Sequence, residues 1–367
     1  MLEQPLSGLF RARGVRLVEF GVGCPAVPQS FDDPLAEQRA TRSAVGLYDF
    51  SFMACFEVRG ARAAAFLDRL QTRNLARLSP GRLAYTLLLR DDGSVLIDAT
   101  VWCFAAQRYW LMTGRRADVD HVRAAGAGYD IEMEDRSGRM SVIAVQGPQS
   151  AALLRRCGAA SLPAPFGFAQ ESLLGYPCVV ARVGYTGEHG YELFVDAALA
   201  PALWSGLAAD GCAFGIAECG LEAADALRIE AGFILFTREL ASPVTPYELG
   251  LLRLLDSPHP FMGAEALAAA RWREPARVLA GFVDLSGAAP GPGVSPPLRP
   301  AAAPRSGTAV ITSVGYSALL ERKIGMGFVR PGERYPGTRV RLQTGATARV
   351  ARLPFYDPPR RLRRSAG

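Results

Sequence analysis

Between residues 286 and 307 the chain reads SGAAPGPGVSPPLRPAAAPRSG. That density of proline and glycine is incompatible with a helix or a paired strand. Proline lacks the amide donor, and glycine loses the most backbone entropy on ordering. The run is therefore a loop or linker. It divides the 367 residues into a long amino-terminal part and a short carboxy-terminal part. At roughly 100–200 residues per domain, the whole length corresponds to two or three domains.

The short part carries TAVITSVGYS, IGMGFV, RVRLQTG and TARVARLPFY, which are brief, turn-punctuated strands. They predict a small barrel or sandwich. In the long part, CFEV at 55–58 reads as a strand, and Ala64, Phe66, Leu67 and Leu70 give residues 60–77 a helical period. AYTLLL at 84–89 and VLIDATVWCF at 95–104 are strands joined by the hairpin signal Asp91-Asp92-Gly93. RYWLMTG adds a strand, ADVDHVRAAG a helix and IEMED an edge strand, giving an α+β unit over about 50–136. MSVIAVQG, PCVVARVG and YELFVD are further strands. AALLRRC, Pro201 to Ala209 and Leu221 to Ala231 are helices, the last ending at Gly232.

Composition removes several function classes. Of 41 basic residues only Lys323 is lysine, and no P-loop sequence exists. A Schiff-base mechanism would have to use Lys323. The net charge of +6 is spread as arginine, with RRLRR at 360–364 the one dense cluster. A diffuse arginine surface argues against nucleic-acid or membrane binding and suits bidentate grip on carboxylates. The seven cysteines form no C-x-x-C pair, and the three histidines are far apart, so no metal site is expected. Cys55, Cys103 and Cys178 lie in apolar runs and read as buried thiols. Gly21-x-Gly23-x-x-Ala26 follows a strand-like run, but Pro25 and Pro28 fall where a dinucleotide-binding helix would open. No run of 18 apolar residues exists, and the first residues lack a secretory pattern, so a cytoplasmic setting is expected.

Three segments could carry chemistry. Asp98 interrupts the apolar strand Val95–Trp102 and by period 2 shares a face with Leu96 and Thr100. A carboxylate there is either on a wet face or in a site. The segment Gly184-Tyr185-Thr186-Gly187-Glu188-His189-Gly190-Tyr191-Glu192 is a specialised turn or an ordinary hairpin loop. Its Tyr185 and Glu192 suit a flat heteroaromatic ring, one as a stacking face and the other as acceptor of two N–H donors. GLEAADALRIEAG at 220–232 is a helix with Leu221, Ala224 and Arg228 on one face.

Together these passages resemble the aminomethyltransferase family, the glycine cleavage T-proteins. SGLFRARGVRLVEFG, RSAVGLYDFSFM, AYTLLLRDDGSVLIDATV, GYTGEHGYELFV, GLEAADALRIEAG, VTPYELGL and FMGAEAL each resemble a family segment, so the likeness spans nearly the whole chain. It implies a three-domain clover-leaf of class α+β around a central folate cavity. The central domain would comprise 1–50 plus 137–275, an inserted ferredoxin-like domain 51–136, and a carboxy-terminal β-barrel domain 276–367 with its loop at 286–307. Tetrahydrofolate is the implied cofactor. Asp98 takes the position of the key acid and Glu192 that of the pterin-holding carboxylate. Met53, Tyr85, Thr100, Tyr185, Phe236 and Arg238 are the remaining implied cofactor-binding positions.

The resemblance implies an enzyme that transfers an aminomethyl group from a lipoyl carrier, or another small one-carbon donor, to tetrahydrofolate. Methylenetetrahydrofolate and ammonia would be the products. The departures are local. Ala224 stands where the family has arginine, Phe52 where it has histidine, and Leu235-Phe236-Thr237-Arg238-Glu239 where it has L-Y-G-N-D. They leave two alternatives: a folate-dependent S-, O- or N-demethylase giving 5-methyltetrahydrofolate, or a folate-binding protein without catalysis. This chain carries no flavin domain, which leaves room for a separate flavin subunit.

Overall fold

The computed structural model describes residues 3–21, 23–256, 259–286, 304–343 and 345–357. Most of the proline-rich run and the arginine cluster at 360–364 lie outside the described residues.

Helix α1 (Ser7–Ala12) precedes a small ribbon of β1 (Leu17–Val18) and β2 (Val27–Pro28). Residues 23–28 run as turn and strand, so the glycine pair there opens no helix. Helix α2 (Pro34–Ser43) begins with Asp33 accepting from the amides of Leu35 and Ala36, with proline at its first turn. It leads into β3 (Val45–Asp49). A five-stranded sheet is then built from β4 (Ala54–Arg59), β5 (Arg82–Leu89), β6 (Val95–Ala105), β7 (Arg108–Thr113) and β8 (Glu132–Asp135). Its order is β5-β6-β7-β4-β8, antiparallel throughout, with β8 at the edge as expected. Its helices are α3 (Ala63–Leu70) and α4 (Val119–Ala125).

Helix α3 is shorter than the apolar period over 60–77 predicts. The chain leaves the helix at Gln71, which bridges to Leu88 while the Thr72 amide donates to Leu87. Pairing with the sheet edge outweighs one more helical turn, and only a 3₁₀ turn follows at Leu75–Arg77.

The second sheet takes β3 together with β9 (Met140–Gln146), β10 (Phe168–Leu173), β11 (Tyr176–Ala181), β12 (Gly190–Asp196) and β13 (Ile216–Cys219). Its order is β10-β11-β12-β9-β3-β13, with only β13 and β3 parallel. The sequence pattern brings out neither β10 nor β13. Each is a short strand without full burial on either face. One face of the sheet packs on α1, α5 (Ser150–Arg156) and α6 (Ala200–Gly211) through Phe10, Leu153, Leu154, Leu203 and Trp204. The other face looks toward the five-stranded sheet.

That shared layer is the centre of the molecule. The six-stranded sheet contributes Tyr48, Val142, Ala144, Ala181 and Phe194, and the five-stranded sheet contributes Cys55, Leu83, Trp102, Trp110 and Met112. Trp102 and Phe194 meet edge-on at 4.8 Å across it. Helix α7 (Leu221–Glu230) adds Ala223, Ala224 and Leu227 to the same layer.

After α7, the short helices α8 (Pro246–Leu249) and α9 (Ala264–Ala270) precede the last unit, a closed barrel. Its strands are β14 (Val278–Val283), β15 (Thr308–Ser317), β16 (Arg322–Val329), β17 (Arg339–Leu342) and β18 (Thr347–Ala351), and β14 pairs with β18 to close it. The sequence reading placed the barrel strands after the proline-rich run. The structure puts one of them, β14, before it. VLAGFV sits directly ahead of the run and completes the cylinder that the four later strands leave open. Gly315 of β15 faces Ala226 and Ile229 of α7, where an added Cβ would meet ordinary van der Waals contact.

The barrel is tied to the rest by Arg228, which is 0 % exposed. Its Nε donates to Asp225 Oδ1 at 2.8 Å, and Nη1 donates to the Phe233 carbonyl at 3.0 Å and Glu239 Oε2 at 2.9 Å. Nη2 donates to Ser313 Oγ of β15 at 2.6 Å. Glu239 is held in turn by the Thr312 and Ser313 hydroxyls, each at 2.6 Å, and by the Leu235 amide. Removing one partner of such a pair strands a buried charge, which costs about 3–5 kcal/mol. Arg228→Met is expected to lower unfolding stability by that amount, and adding Glu239→Gln to recover part of it. Urea unfolding checks this. A single variant no more destabilised than a surface substitution would refute it.

Candidate active site

Asp98 lies on β6 with Thr100 and Trp102 on the face turned to the inter-sheet layer, while Ile97, Ala99 and Val101 pack in the opposite core. The period-2 reading holds from Ile97 to Trp102; at Leu96 the pairing register shifts, and Leu96 packs with the opposite core. Tyr85 on β5 is the cross-strand neighbour of Thr100, and its hydroxyl reaches diagonally to donate to Asp98 Oδ2 at 2.9 Å. Asp98 keeps some solvent contact, yet burial pushes its carboxyl up to about 6. The Tyr85 hydrogen bond pulls it down, and the charges of Asp118 and Glu239 raise it further. The state of Asp98 near neutrality is that of a group able to hold or release a proton.

Glu192 comes from the opposite sheet. On β12 it pairs with Ala144 and Ala181, and it shares the inner face with Phe194. It is 8 % exposed, and burial alone pushes its carboxyl up to about 7. No hydrogen bond or cation offsets that burial among the described residues. An unpartnered carboxylate at this depth is costly unless something else supplies donors.

The turn between β11 and β12 carries Tyr185 and leads into Glu192 of β12, and its glycines have a local cause. Gln146, the last residue of β9, packs between Gly184 and Gly190, where any Cβ would collide with its amide. Its Oε1 accepts from Thr186 Oγ1 at 2.9 Å, and its Nε2 donates to the carbonyls of Val183 and Tyr191. Gly187 takes the left-handed conformation (φ +77°) with its Cα hydrogens against Ala231. The turn is therefore specialised and not an ordinary hairpin loop. Tyr185 donates to the Ile234 carbonyl at 2.6 Å, and its ring stacks on Phe233 at 6.0 Å. Burial raises its hydroxyl well above the ordinary value, and the charges of Arg228, Asp98, Glu239 and Asp225 all act on it. Tyr85 likewise feels Asp98 and Tyr185. Asp98, Tyr85 and Tyr185 thus form one electrostatic neighbourhood.

Of the other expected positions, Thr100 adjoins this neighbourhood as the cross-strand partner of Tyr85. Met53, between β3 and β4, is half-buried against the inter-sheet layer. Thr100 Oγ1 accepts from Trp102 Nε1 at 2.8 Å. Phe236 is packed into the core, where Gly114 leaves room for its ring and Phe20 lies 5.9 Å away. Arg238 is also buried, which disfavours its charge, while Asp225 and Glu239 favour it. Ala224 is buried in the apolar layer. Phe52 extends an aromatic series with Phe20 at 4.9 Å and Phe50 at 5.9 Å.

Sequence reasoning missed Arg228, Glu239 and Gln146 as the supports of the site. The signal for Arg228 was a cation on an otherwise apolar helix face, which requires a buried anion elsewhere in the chain. Among the described residues no cluster of metal-ligating side chains exists, and no helix is long and apolar enough to cross a membrane. All seven cysteines are free, and all but Cys212 are buried.

A mixed α+β body with an inter-sheet layer holding two raised carboxyls, joined to a closed β-barrel, defines a multidomain enzyme fold. The family model described as the GCVT N-terminal domain matches residues 9–257, and that of the glycine cleavage T-protein C-terminal barrel domain matches residues 301–357. The chain belongs to the glycine cleavage T-protein family of aminomethyltransferases, enzymes that transfer one-carbon groups. It is 32% identical to an aminomethyltransferase of Symbiobacterium thermophilum over 97% of this chain and 98% of that one. It is 33% identical to one of Streptomyces avermitilis over 96% of each. The solved structure of glycine cleavage system aminomethyltransferase T from Bartonella henselae superposes with a TM-score of 0.81 at 25% identity, covering 97% of this chain and 99% of that one.

Glu192 gives a test that needs no ligand. Its carboxyl ionises near 4.5 when unfolded and near 7 when folded. The folded state therefore holds more protons between those values, and stability falls as pH rises from about 4.5 to 7. Above pH 7 the full cost is present, on the order of 3 kcal/mol. Glu192→Gln should raise the ligand-free melting temperature at pH 8 and leave it unchanged near pH 4. Equal melting temperatures at pH 8 would mean that the carboxyl is not strained.

Proposed function

We propose that this protein is a tetrahydrofolate-dependent aminomethyltransferase acting in the cytoplasm. It takes the aminomethyl group from a lipoyl carrier and yields methylenetetrahydrofolate and ammonia. The observation that carries this reading is the unpartnered Glu192 carboxyl, buried beside aromatic rings and pushed up to about 7. A pterin edge offers paired N–H donors, and two such hydrogen bonds would stabilise the ionised form. The residues present thus fit a folate.

Bound tetrahydrofolate supplies the two nitrogens, N5 and N10, that receive the carbon. Glu192 accepts the N–H donors of the ring edge and fixes its orientation. Tyr185 offers a ring face beside it. Asp98, ionised above about pH 6, accepts a proton from nitrogen and stabilises positive charge developing at the transferred carbon. The Tyr85 hydroxyl holds Asp98 Oδ2 in place. Met53, Thr100, Phe236 and Arg238 complete the proposed lining. The reading also includes the division into a central unit (1–50 and 137–275), an inserted unit (51–136) and a barrel unit (276–367). Strand membership supports that division, since β4 to β8 form a sheet of their own between β3 and β9.

Asp98→Asn is expected to lower turnover by at least 10²-fold while tetrahydrofolate still binds. In the wild type, kcat should rise with pH through about 6 as Asp98 ionises. Calorimetry together with single-turnover assays separates the two effects, and turnover retained in Asp98→Asn would remove Asp98 from the chemistry. Tetrahydrofolate affinity should also fall as pH drops below 7, because Glu192 must be ionised to accept two donors. Titrations at pH 6 and pH 8 check this.

The apolar Ala224 and the Phe20–Phe52 pair favour a second reading, a folate-dependent demethylase with a methylated small-molecule donor. Production of 5-methyltetrahydrofolate from such a donor, with none of the methylene form from an aminomethyl carrier, would select it.

A further inference from the structure

The turn that carries Tyr185 and leads into Glu192 is supported from inside by Gln146. From outside it is held by a second set of residues that the reaction does not use. Arg42 of α2 donates from Nη1 to the Thr186 carbonyl at 2.9 Å and to Glu188 Oε1 at 3.2 Å. Its Nε and Nη2 donate to Glu230 Oε2 at the end of α7, at 2.9 and 2.5 Å. The Tyr356 ring lies under the guanidinium, 4.1 Å from its central carbon, and the Tyr356 hydroxyl donates to Glu188 Oε1 at 2.6 Å. The amides of Phe355 and Tyr356 donate to the Glu230 carbonyl at 2.8 and 2.9 Å, and Ser317 of β15 donates to Glu230 Oε1.

The side chains of Arg42, Glu188 and Glu230 are 7%, 4% and 1% exposed. One guanidinium therefore serves two buried carboxyl groups. Buried carboxylate oxygens need donors, and the hydroxyls of Tyr356 and Ser317 provide them. Burial and the Glu188 carboxylate push the Tyr356 hydroxyl up to about 12, so it remains a donor at neutral pH. Glu188 lies three residues after Tyr185 and four before Glu192, so what fixes Glu188 fixes the spacing of both.

We propose that the carboxy-terminal segment Leu353–Asp357 is a positioning clamp on the folate-binding turn, with Tyr356 and Arg42 as its positioning residues. The proposal rests on the reading of Glu192 as a folate contact. It assigns to the end of the barrel unit a part in ligand affinity, exerted through Glu188 and not by touching ligand.

The test compares Tyr356→Phe with Phe355→Leu. Phe355→Leu trims the ring that packs at Gly281, on the barrel side of the segment, and keeps the Tyr356 hydroxyl and both backbone amides. Two readouts are used: amide hydrogen exchange over 184–190 in the ligand-free protein, and the tetrahydrofolate Kd by calorimetry. Tyr356→Phe should speed exchange in that turn, weaken Kd by about three- to tenfold, and raise KM with kcat unchanged. Phe355→Leu should leave the turn and Kd as in the wild type. Unchanged exchange and Kd in Tyr356→Phe, or equal effects in both variants, overturn the clamp. If the wild type binds no tetrahydrofolate, the functional reading fails, and faster exchange confined to 184–190 still establishes that Tyr356 fixes the turn.

Discussion

Arg228 is a fully buried cation, and three parts of the molecule converge to satisfy it. Its own helix supplies Asp225, the following loop supplies the Phe233 carbonyl and Glu239, and the barrel supplies Ser313. A guanidinium out of water is tolerated only when its donors are met in fixed directions. That requirement fixes where the loop after α7 runs, and so where Ile234 receives the Tyr185 hydroxyl. It also fixes how the barrel sits on the helix, since Ser313 of β15 must meet the guanidinium. The same network sends the negative potential of Glu239 toward Asp98, which helps keep that carboxyl near 6.

The inter-sheet layer sets the chemistry of both site carboxyls by withholding partners. Among the described residues Asp98 has the Tyr85 hydroxyl and its own backbone amide as donors, and Glu192 has none. Two other buried acids are paired generously. Glu57 meets three arginines, and Glu239 meets a guanidinium, two hydroxyls and an amide. Burial also pushes Asp49 up to about 6, but it accepts from the Ser51 amide and hydroxyl. Against these, Glu192 is a carboxyl left without a donor among the described residues. Destabilisation stored at a site is what a ligand can relieve on binding, and it comes at some expense of stability in its absence.

The turn at 184–190 shows how local and tertiary causes combine. Gly187 answers a backbone requirement that four residues of sequence state openly. Gly184 and Gly190 answer a neighbour, Gln146, that lies on another strand. From the sequence the three look alike. Only the fold distinguishes a residue that must adopt positive φ from residues that must leave space.

The sequence by itself determined the elements whose cause is short-ranged. The strands around Asp98, the alternation that puts Asp98 with Thr100 and opposite Ile97, the Asp91-Asp92-Gly93 hairpin, the stop of α7 just before the left-handed Gly232, and the strand-rich last part all follow from periodicity and turn chemistry. The motifs around Asp98 and Glu192 also identified the family, because their residue types are tied to spacing along the chain. The tertiary structure decided what depends on partners distant in sequence. It ended α3 at Leu70 because a sheet edge was available to Gln71, and it closed the barrel with β14 from before the proline-rich run. It also raised two carboxyls by burying them between sheets, and it brought Arg42, Glu188, Glu230 and Tyr356 together from four separate segments. Burial and charge pairing are properties of that assembly, and no local pattern encodes them.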